Sequence, residues 1–305
     1  MTLINDARFP GLQYITANNI HSPKVSAIFS TRNGGVSGQM PETEYLRSMN
    51  LSLRFSTEAG SLKSESLRDS NSKLPAHATR EEDYGNIEEN YRIIMSSQGV
   101  EFKSLVALKQ GHTSNIVVVD KDVVESNRSN PFGFNKIFET ADALVTNIRG
   151  LLLSVRTADC VPILLYDSKN QSIGAVHSGW RGTLAGIGLK TVKRMSDVYG
   201  TDPKDIKAAI GPAIGQCCFE VGFDVKEKFV VEYGDDITKF FIVKPNGKPH
   251  GDIKSMNKAL LIEAGILEEN IEVSDLCTKC NPDLFYSARY SKGKFGLMAN
   301  FIGLK

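Results

Sequence analysis

The chain has no excess of charge of either sign. Across 305 residues, 36 Lys and Arg stand against 35 Asp and Glu, a formal net charge of +1. That balance lacks the electrostatic footprint of a protein whose main partner is nucleic acid. No run approaches the roughly 18 consecutive apolar residues of a membrane helix, so no membrane partner is expected. The opening MTLINDARFPGLQY holds neither a basic stretch nor an apolar one and does not read as a secretory signal. The five cysteines, Cys160, Cys217, Cys218, Cys277 and Cys280, are odd in number and two are adjacent. Such a set does not suit a disulfide framework and points to a reducing compartment, the cytosol. The five histidines, His21, His77, His112, His177 and His250, form no H-x-H or H-x-x-x-H pair. Any metal site must therefore draw ligands from distant segments.

What is there is a soluble, globular composition, 41% hydrophobic and 23% charged. VSAIFST (25–31) reads as an alternating strand stopped by Asn33-Gly34-Gly35. Residues 56–82 hold six Ser, nine charged residues, three Leu and no aromatic residue. They cannot bury enough apolar surface to offset ordering, and read as a mobile insertion within one domain spanning 1–305. A helix is expected from Asn86, with Glu89 completing a capping box and Gly99 as its stop. Strands follow within 104–119, then a loop over 121–138. ADALVTN, LLLSVRTADC, VPILLYD and SIGAVH are four runs of strand length. A helix is expected over Thr183–Tyr199, with Leu184, Ile187, Thr191, Met195 and Val198 on one stripe. IKAAIG (206–211) reads as a strand, 221–234 and 255–264 as helices, and the tail as a β-hairpin turning near Lys292-Gly293. The pattern is that of an α/β protein, a layered mixed sheet with flanking helices.

Three residues sit at strand–turn junctions, where a fold can converge side chains from distant segments. His112 lies in the turn Gln110-Gly111-His112-Thr113. Cys160 follows Thr157-Ala158-Asp159. His177 ends SIGAVH. A lone His at a strand end is ordinarily a hydrogen-bonded structural residue, and a lone Cys between apolar runs a small core residue. Small and polar turn neighbours set these three apart. Two imidazoles and a thiolate can form a three-ligand zinc site with an open position. The same donors suit blue copper, and a metal-free reading makes Cys160 a nucleophile activated by a His. Ser178-Gly179-Trp180-Arg181-Gly182-Thr183 links a strand to a helix and offers Arg181 to an anion such as phosphate. Trp180 reads as packing. Cys277-x-x-Cys280 has no second C-x-x-C, and Cys217-Cys218 has the wrong spacing to supply one, so no metal site is expected there. His21, His77 and His250 read as solvent-exposed.

At FSTRNGGVS (29–37), Asn50-Leu51, NIEENYRII (86–94), LKQGHTSNIVVVD (108–120), ADALVTNIRGLLLSVRTADCVPILLYD (141–167), IGAVHSGWRGTLAGI (173–187) and IGPAIGQCCFEVG (210–222), the chain resembles the laccase-domain family, also called the multicopper polyphenol oxidoreductase or purine nucleoside phosphorylase laccase-like family. NPDLFYSARY (281–290) matches more loosely, and 56–82 not at all. The resemblance implies a single α/β domain and a zinc-linked site of His112, Cys160 and His177, both catalytic and metal-binding. It implies phosphorolysis of adenosine, inosine, guanosine or methylthioadenosine with phosphate, and deamination of adenosine. Asn50, Arg181 and Arg289 are the candidate substrate contacts. A bacterial branch implies instead a hydrolase editing peptidoglycan precursors, and a third reading is a non-enzymatic zinc-binding partner protein. Three departures stand out: the long segment after Asn50-Leu51, the tail in which Tyr290 follows Arg289 where paired arginines are usual, and the added Cys280. Zinc is preferred to copper, because five scattered His cannot supply the trinuclear cluster of a multicopper oxidase.

Overall fold

The computed structural model describes residues 1–36, 78–99, 105–126, 135–292 and 295–305. Two mixed sheets form its frame. The first runs β1 (Thr2–Asn5), β2 (Gln13–Thr16), β3 (Val25–Ser30), β15 (Met298–Leu304), β8 (Leu152–Thr157), β4 (Leu105–Lys109), β6 (Asn135–Thr140). The second runs β14 (Ile271–Val273), β11 (Ile206–Ile210), β9 (Val161–Asp167), β10 (Ser172–Ser178), β7 (Ala143–Thr146), β5 (Ile116–Val118). A small antiparallel pair, β12 (Phe241–Val243) and β13 (Pro249–Gly251), stands apart. The helices are α1 (Ala78–Gln98), α2 (Lys121–Ser126), α3 (Trp180–Leu184), α4 (Ile187–Tyr199), α5 (Phe223–Tyr233) and α6 (Ile253–Glu263).

Side-chain parity explains the layering. Leu153 and Val155 of β8 share a core with Leu164 and Tyr166 of β9 and with Ile173 and Ala175 of β10, so the two sheets face each other. The opposite parity of the second sheet, Ile163, Leu165 and Val176, meets Ile187, Val192 and Met195 of α4 and Leu261 of α6. On the far face of the first sheet, Leu152 and Phe301 meet Tyr91, Ile94 and Met95 of α1. β8, β9 and β10 are buried at every position because both of their faces are covered. The layered α/β arrangement expected from the sequence is the one observed. No helix among the described residues is long and apolar enough to cross a membrane.

Several local expectations change. Val25–Ser30 is buried throughout rather than on alternate residues, since the opposing sheet covers Val25, Ala27 and Phe29 and α1 covers Ile28. α1 starts at Ala78, well before Asn86, so 78–82 of the supposed insertion is helical; residues 56–77 lie outside the described residues. Residues 121–126 form α2, and β6 begins at Asn135, where a loop was expected. The helix over 183–199 is two helices, broken at Gly186, whose φ of 67° is left-handed. Val198 is exposed, off the buried stripe. The tail forms no hairpin among the described residues, which exclude 293–294: 281–292 is a string of turns, and β15 pairs instead with β3 and β8.

The β9–β10 hairpin, which carries Cys160 and His177 at its far end, is closed by a buried carboxylate. Asp167 accepts from the Lys169 and Asn170 amides and from Asn170 Nδ2 at 2.8–3.2 Å. Burial alone would raise its pKa, but the Asn170 and Lys169 hydrogen bonds, with Thr201, outweigh it and lower it. Its contribution to stability is therefore present above the unfolded carboxylate range and is lost as pH falls through the folded pKa. Asp167→Asn should cost about 1–2 kcal/mol at pH 7. In urea titrations the gap from wild type should narrow below about pH 4; a gap that is constant with pH contradicts the assignment.

Candidate metal and active site

The site forms where the chain passes from one sheet to the other. β4 ends in the first sheet, and its turn carries His112 on the way to β5 in the second. β8 ends in the first sheet, and Ala158-Asp159-Cys160 leads into β9 in the second. The antiparallel register of β9 and β10 sets His177 opposite Pro162, two residues from Cys160. The ligand atoms of His112, Cys160 and His177 lie within 4.8 Å of one another. Cys160 Sγ is 3.8 Å from His112 Nε2, and the two imidazole centroids are 4.9 Å apart, edge to face. His112 is exposed, Cys160 half-buried and His177 buried. The convergence inferred from the sequence is thus present in the fold.

Asp142, at the entry to β7, organises the trio. Its fully buried carboxylate accepts from the amides of Gly111, His112 and Thr113 at 2.5–3.2 Å and from Thr113 Oγ1 at 2.8 Å. His177 Nδ1 donates to the same carboxylate at 2.7 Å. Burial would raise the Asp142 pKa, yet His177 and Thr113 hold it down at about 2. Burial likewise opposes the imidazolium of His177, but Cys160 and Asp142 push its pKa up to about 9. Burial would raise Cys160, but the charge of His177 and hydrogen bonds from both imidazoles pull it down to about 6. The imidazoles thus favour the thiolate of Cys160, the form that binds a metal. The bond to Asp142 holds one proton on His177 Nδ1, so Nε2 is the nitrogen that can bind a metal, releasing its own proton as it does so. This donor set fits one zinc or copper ion and leaves a coordination position open.

The backbone is strained at this site. His112 has φ 59° and Asp159 has φ 88°, two of only four non-glycine residues with positive φ among the described residues. Asp142 holds the first turn through three amides, as above. Asp159 holds the second: its carboxylate accepts from Thr278 Oγ1 at 2.6 Å and the Arg289 amide at 2.8 Å. Gln110 locks β4 to β8 by accepting from the Arg156 amide at 2.8 Å and donating to the Arg156 carbonyl at 2.7 Å. Gly179 is pressed against the trio, since a Cβ there would lie 2.8 Å from His112 Cδ2 and 3.1 Å from Cys160 Sγ.

The other sequence candidates are less central. Arg181 is exposed, its guanidinium 4.3 Å from the Trp180 ring centroid. The Ser178 and Thr183 hydroxyls of the same turn are buried and bonded to each other and to Asn257, so they are not available to an anion. Trp180 packs against two core clusters, as expected. The Arg289 guanidinium donates to the Glu220 carbonyl at 2.9 Å. Asn50 and His77 lie outside the described residues. His21 is exposed as expected, but His250 is buried, with Nδ1 2.9 Å from the Gln216 carbonyl, because β13 packs beside the 216–220 turn. Asp142 and Asp159 were missed as site residues. Their signal was a lone acid beside an apolar strand, in ADALVTN and TADC.

Comparison with known proteins gives a consistent picture. Residues 55–305 match the family described as multi-copper polyphenol oxidoreductase laccase. The chain is 32% identical over 223 residues to mouse purine nucleoside phosphorylase LACC1, a match covering 72% of this chain and 48% of that protein. This chain thus spans about half the length of that relative. It is 36% identical over 205 residues to adenosine deaminase RL5 from an unknown prokaryotic organism, covering 65% of this chain and 74% of that one. The crystal structure of the Bacillus licheniformis hypothetical protein YfiH superposes with a TM-score of 0.78 at 30% identity, covering 99% of both chains.

Two substitutions test this geometry. Asp142→Ala orphans a buried imidazole and three strained-turn amides, and should cost roughly 3 kcal/mol or more in urea unfolding. A loss below about 1 kcal/mol would show that the carboxylate does not organise the turn. Gly179→Ala has an ordinary φ of −70°, so its effect is steric only. It should displace the His112 ring and weaken divalent-metal binding about 10- to 100-fold, read by chelator competition, with unchanged affinity as the contrary result.

Proposed function

The chain belongs to the multi-copper polyphenol oxidoreductase laccase family, and from that premise we propose that it is a purine nucleoside phosphorylase with adenosine deaminase activity. The observation that carries this reading is the convergence of His112, Cys160 and His177, with Asp142 bonded to the His112 amide and the His177 ring. The names of its relatives, a purine nucleoside phosphorylase and an adenosine deaminase, support the pair of activities. Zinc, rather than copper, is the metal we assign to the trio. When bound, it supplies Lewis-acid polarisation and an acidified water.

In phosphorolysis a phosphate oxygen bonds to the anomeric carbon of the nucleoside as the bond to the purine nitrogen breaks. The purine leaves with a proton, and ribose 1-phosphate remains. In deamination the oxygen of water bonds to purine C6 and ammonia leaves, turning adenosine into inosine. The protein's task in both is to orient the reactants and to offer fixed charge to the leaving group. Exposed His112 keeps one side of the trio open to substrate, while buried His177 and Asp142 close the other. Arg181, exposed one turn after His177, takes the phosphate by its guanidinium. Arg289, whose backbone is tied to Asp159, and Asn50 contact the nucleoside. The five cysteines are all free, which suits the cytosol.

The test is product analysis of adenosine and inosine, with and without phosphate, followed for free base, ribose 1-phosphate and inosine. Wild type should form base only with phosphate, and inosine from adenosine without it. Cys160→Ala, still folded, should lose at least about 100-fold in both reactions, the scale of losing a catalytic electrostatic group. Arg181→Ala should raise the KM for phosphate and leave that for the nucleoside little changed. Full turnover by Cys160→Ala overturns the reading. Hydrolysis without phosphate dependence favours the editing hydrolase, and zinc binding with no turnover favours the non-enzymatic partner.

A further inference from the structure

A second group of metal-ligating side chains gathers away from the trio. Cys217 and Cys218 sit in the turn after β11, and Cys277 and Cys280 in the turn after β14. β11 and β14 are parallel neighbours, and an Ala213–Cys277 bridge carries the pairing past the strand ends. The four sulfurs consequently lie within 4.8 Å of one another. The sequence reading rejected this group for its spacing, because it counted residues along the chain. The parallel pairing supplies the spacing that the chain does not.

We propose that Cys217, Cys218, Cys277 and Cys280 bind a structural zinc ion as a four-thiolate site, separate from the His112–Cys160–His177 site. Tetrahedral zinc with bonds of about 2.3 Å holds its sulfurs ~3.8 Å apart. Cys280 Sγ is already 3.6 Å from Cys217 Sγ and 3.4 Å from Cys218 Sγ. Cys277 Sγ accepts from the Gly215 amide at 3.2 Å and from the Cys280 amide, backbone donors that favour a thiolate. Four thiolates and Zn²⁺ leave two negative charges. Buried Lys254, which donates to the Leu276 carbonyl beside Cys277, lies within electrostatic reach of Cys277 and Cys217, and Lys244 Nζ bonds the Cys217 carbonyl at 2.6 Å. Zinc binding releases the thiol protons to solvent, with no change of oxidation state. All-sulfur donors of this geometry select zinc over hard cations.

The site has a structural task. Thr278, inside the Cys277–Cys280 turn, donates to Asp159, and the Ile214 amide donates to the Asp159 carbonyl at 2.9 Å. Both cysteine-bearing turns thus grip the residue before Cys160. A zinc ion joining them would brace the strained turn that presents Cys160.

Cys160→Ala decides the proposal cleanly, because its only remaining cysteines are these four. Elemental analysis of the purified variant should find one zinc per chain, released by a mercurial in step with four thiols. Reconstituted with cobalt(II) alone, it should show thiolate-to-cobalt charge transfer and tetrahedral ligand-field bands. Adding Cys280→Ser, at an exposed position, should remove the zinc and reduce the bands. The Cys280→Ser single variant should hold one zinc fewer than wild type whether or not the trio binds metal, so failure of the functional reading leaves this result unaffected. A Cys160→Ala protein without zinc, bound iron in its place, or two thiols missing from a denaturing, non-reducing titration each overturns the proposal.

Discussion

One buried carboxylate holds the site together. Asp142 is fully buried and ionised, and each of its oxygens is claimed by groups from another segment. A charge so placed is tolerable only if its partners stay put. They are the amides of the β4–β5 turn and the imidazole at the end of β10, and they bring two of the three candidate ligands. Remove the charge, and the positive φ of His112 loses the bonds that offset its strain. The trio's geometry thus follows from a solvation constraint as much as from packing.

Asp159 repeats this logic on the other side. It is buried, has positive φ, and is held by a hydroxyl and an amide from the 278–289 segment. The two aspartates brace two of the crossings between the sheets, β4 to β5 and β8 to β9. Regular strands cannot continue through such a crossing, so the backbone there must adopt costly conformations. Two acids stabilise them, Asp142 by accepting from three amides and Asp159 by accepting from one amide and one hydroxyl. The same irregularity frees His112 and Cys160 from the ladders and lets them point at one another.

How much of this was legible in the sequence follows from what each signal measures. Strands β7 to β10 were readable because their apolar runs are short and bounded by turn residues. The trio was readable because each member sits in such a boundary, and the family motifs named the same residues. Gly186 was not readable as a break, since helical periodicity runs through it and only the left-handed φ reveals it. The tail was misread because β15 finds its partners in β3 and β8, far off in the chain, rather than in the adjacent segment. His250 looked exposed by its Pro and Gly neighbours, but tertiary packing against the 216–220 turn buried it. Asp142 sits at the mouth of a strand motif, and only tertiary contacts with the β4–β5 turn and His177 make it a buried charge. The cysteine group failed for a related reason: spacing rules assume ligands on one local hairpin, whereas parallel strand pairing gathers them here.

The family's description names several coppers, and the donors in this chain bear on that description. A multinuclear copper centre is built largely from imidazoles. Of the four described histidines, His112 and His177 share one site, His250 is buried against a carbonyl and beside Glu220, and His21 lies on the surface. Two imidazoles and one thiolate, set by one carboxylate, suit a single ion. The soft thiolate and the open side at exposed His112 suit a metal that polarises a substrate or water. Orientation and charge at the trio are both set by Asp142 and Asp159 within the protein itself, the kind of preorganisation that the proposed chemistry would use.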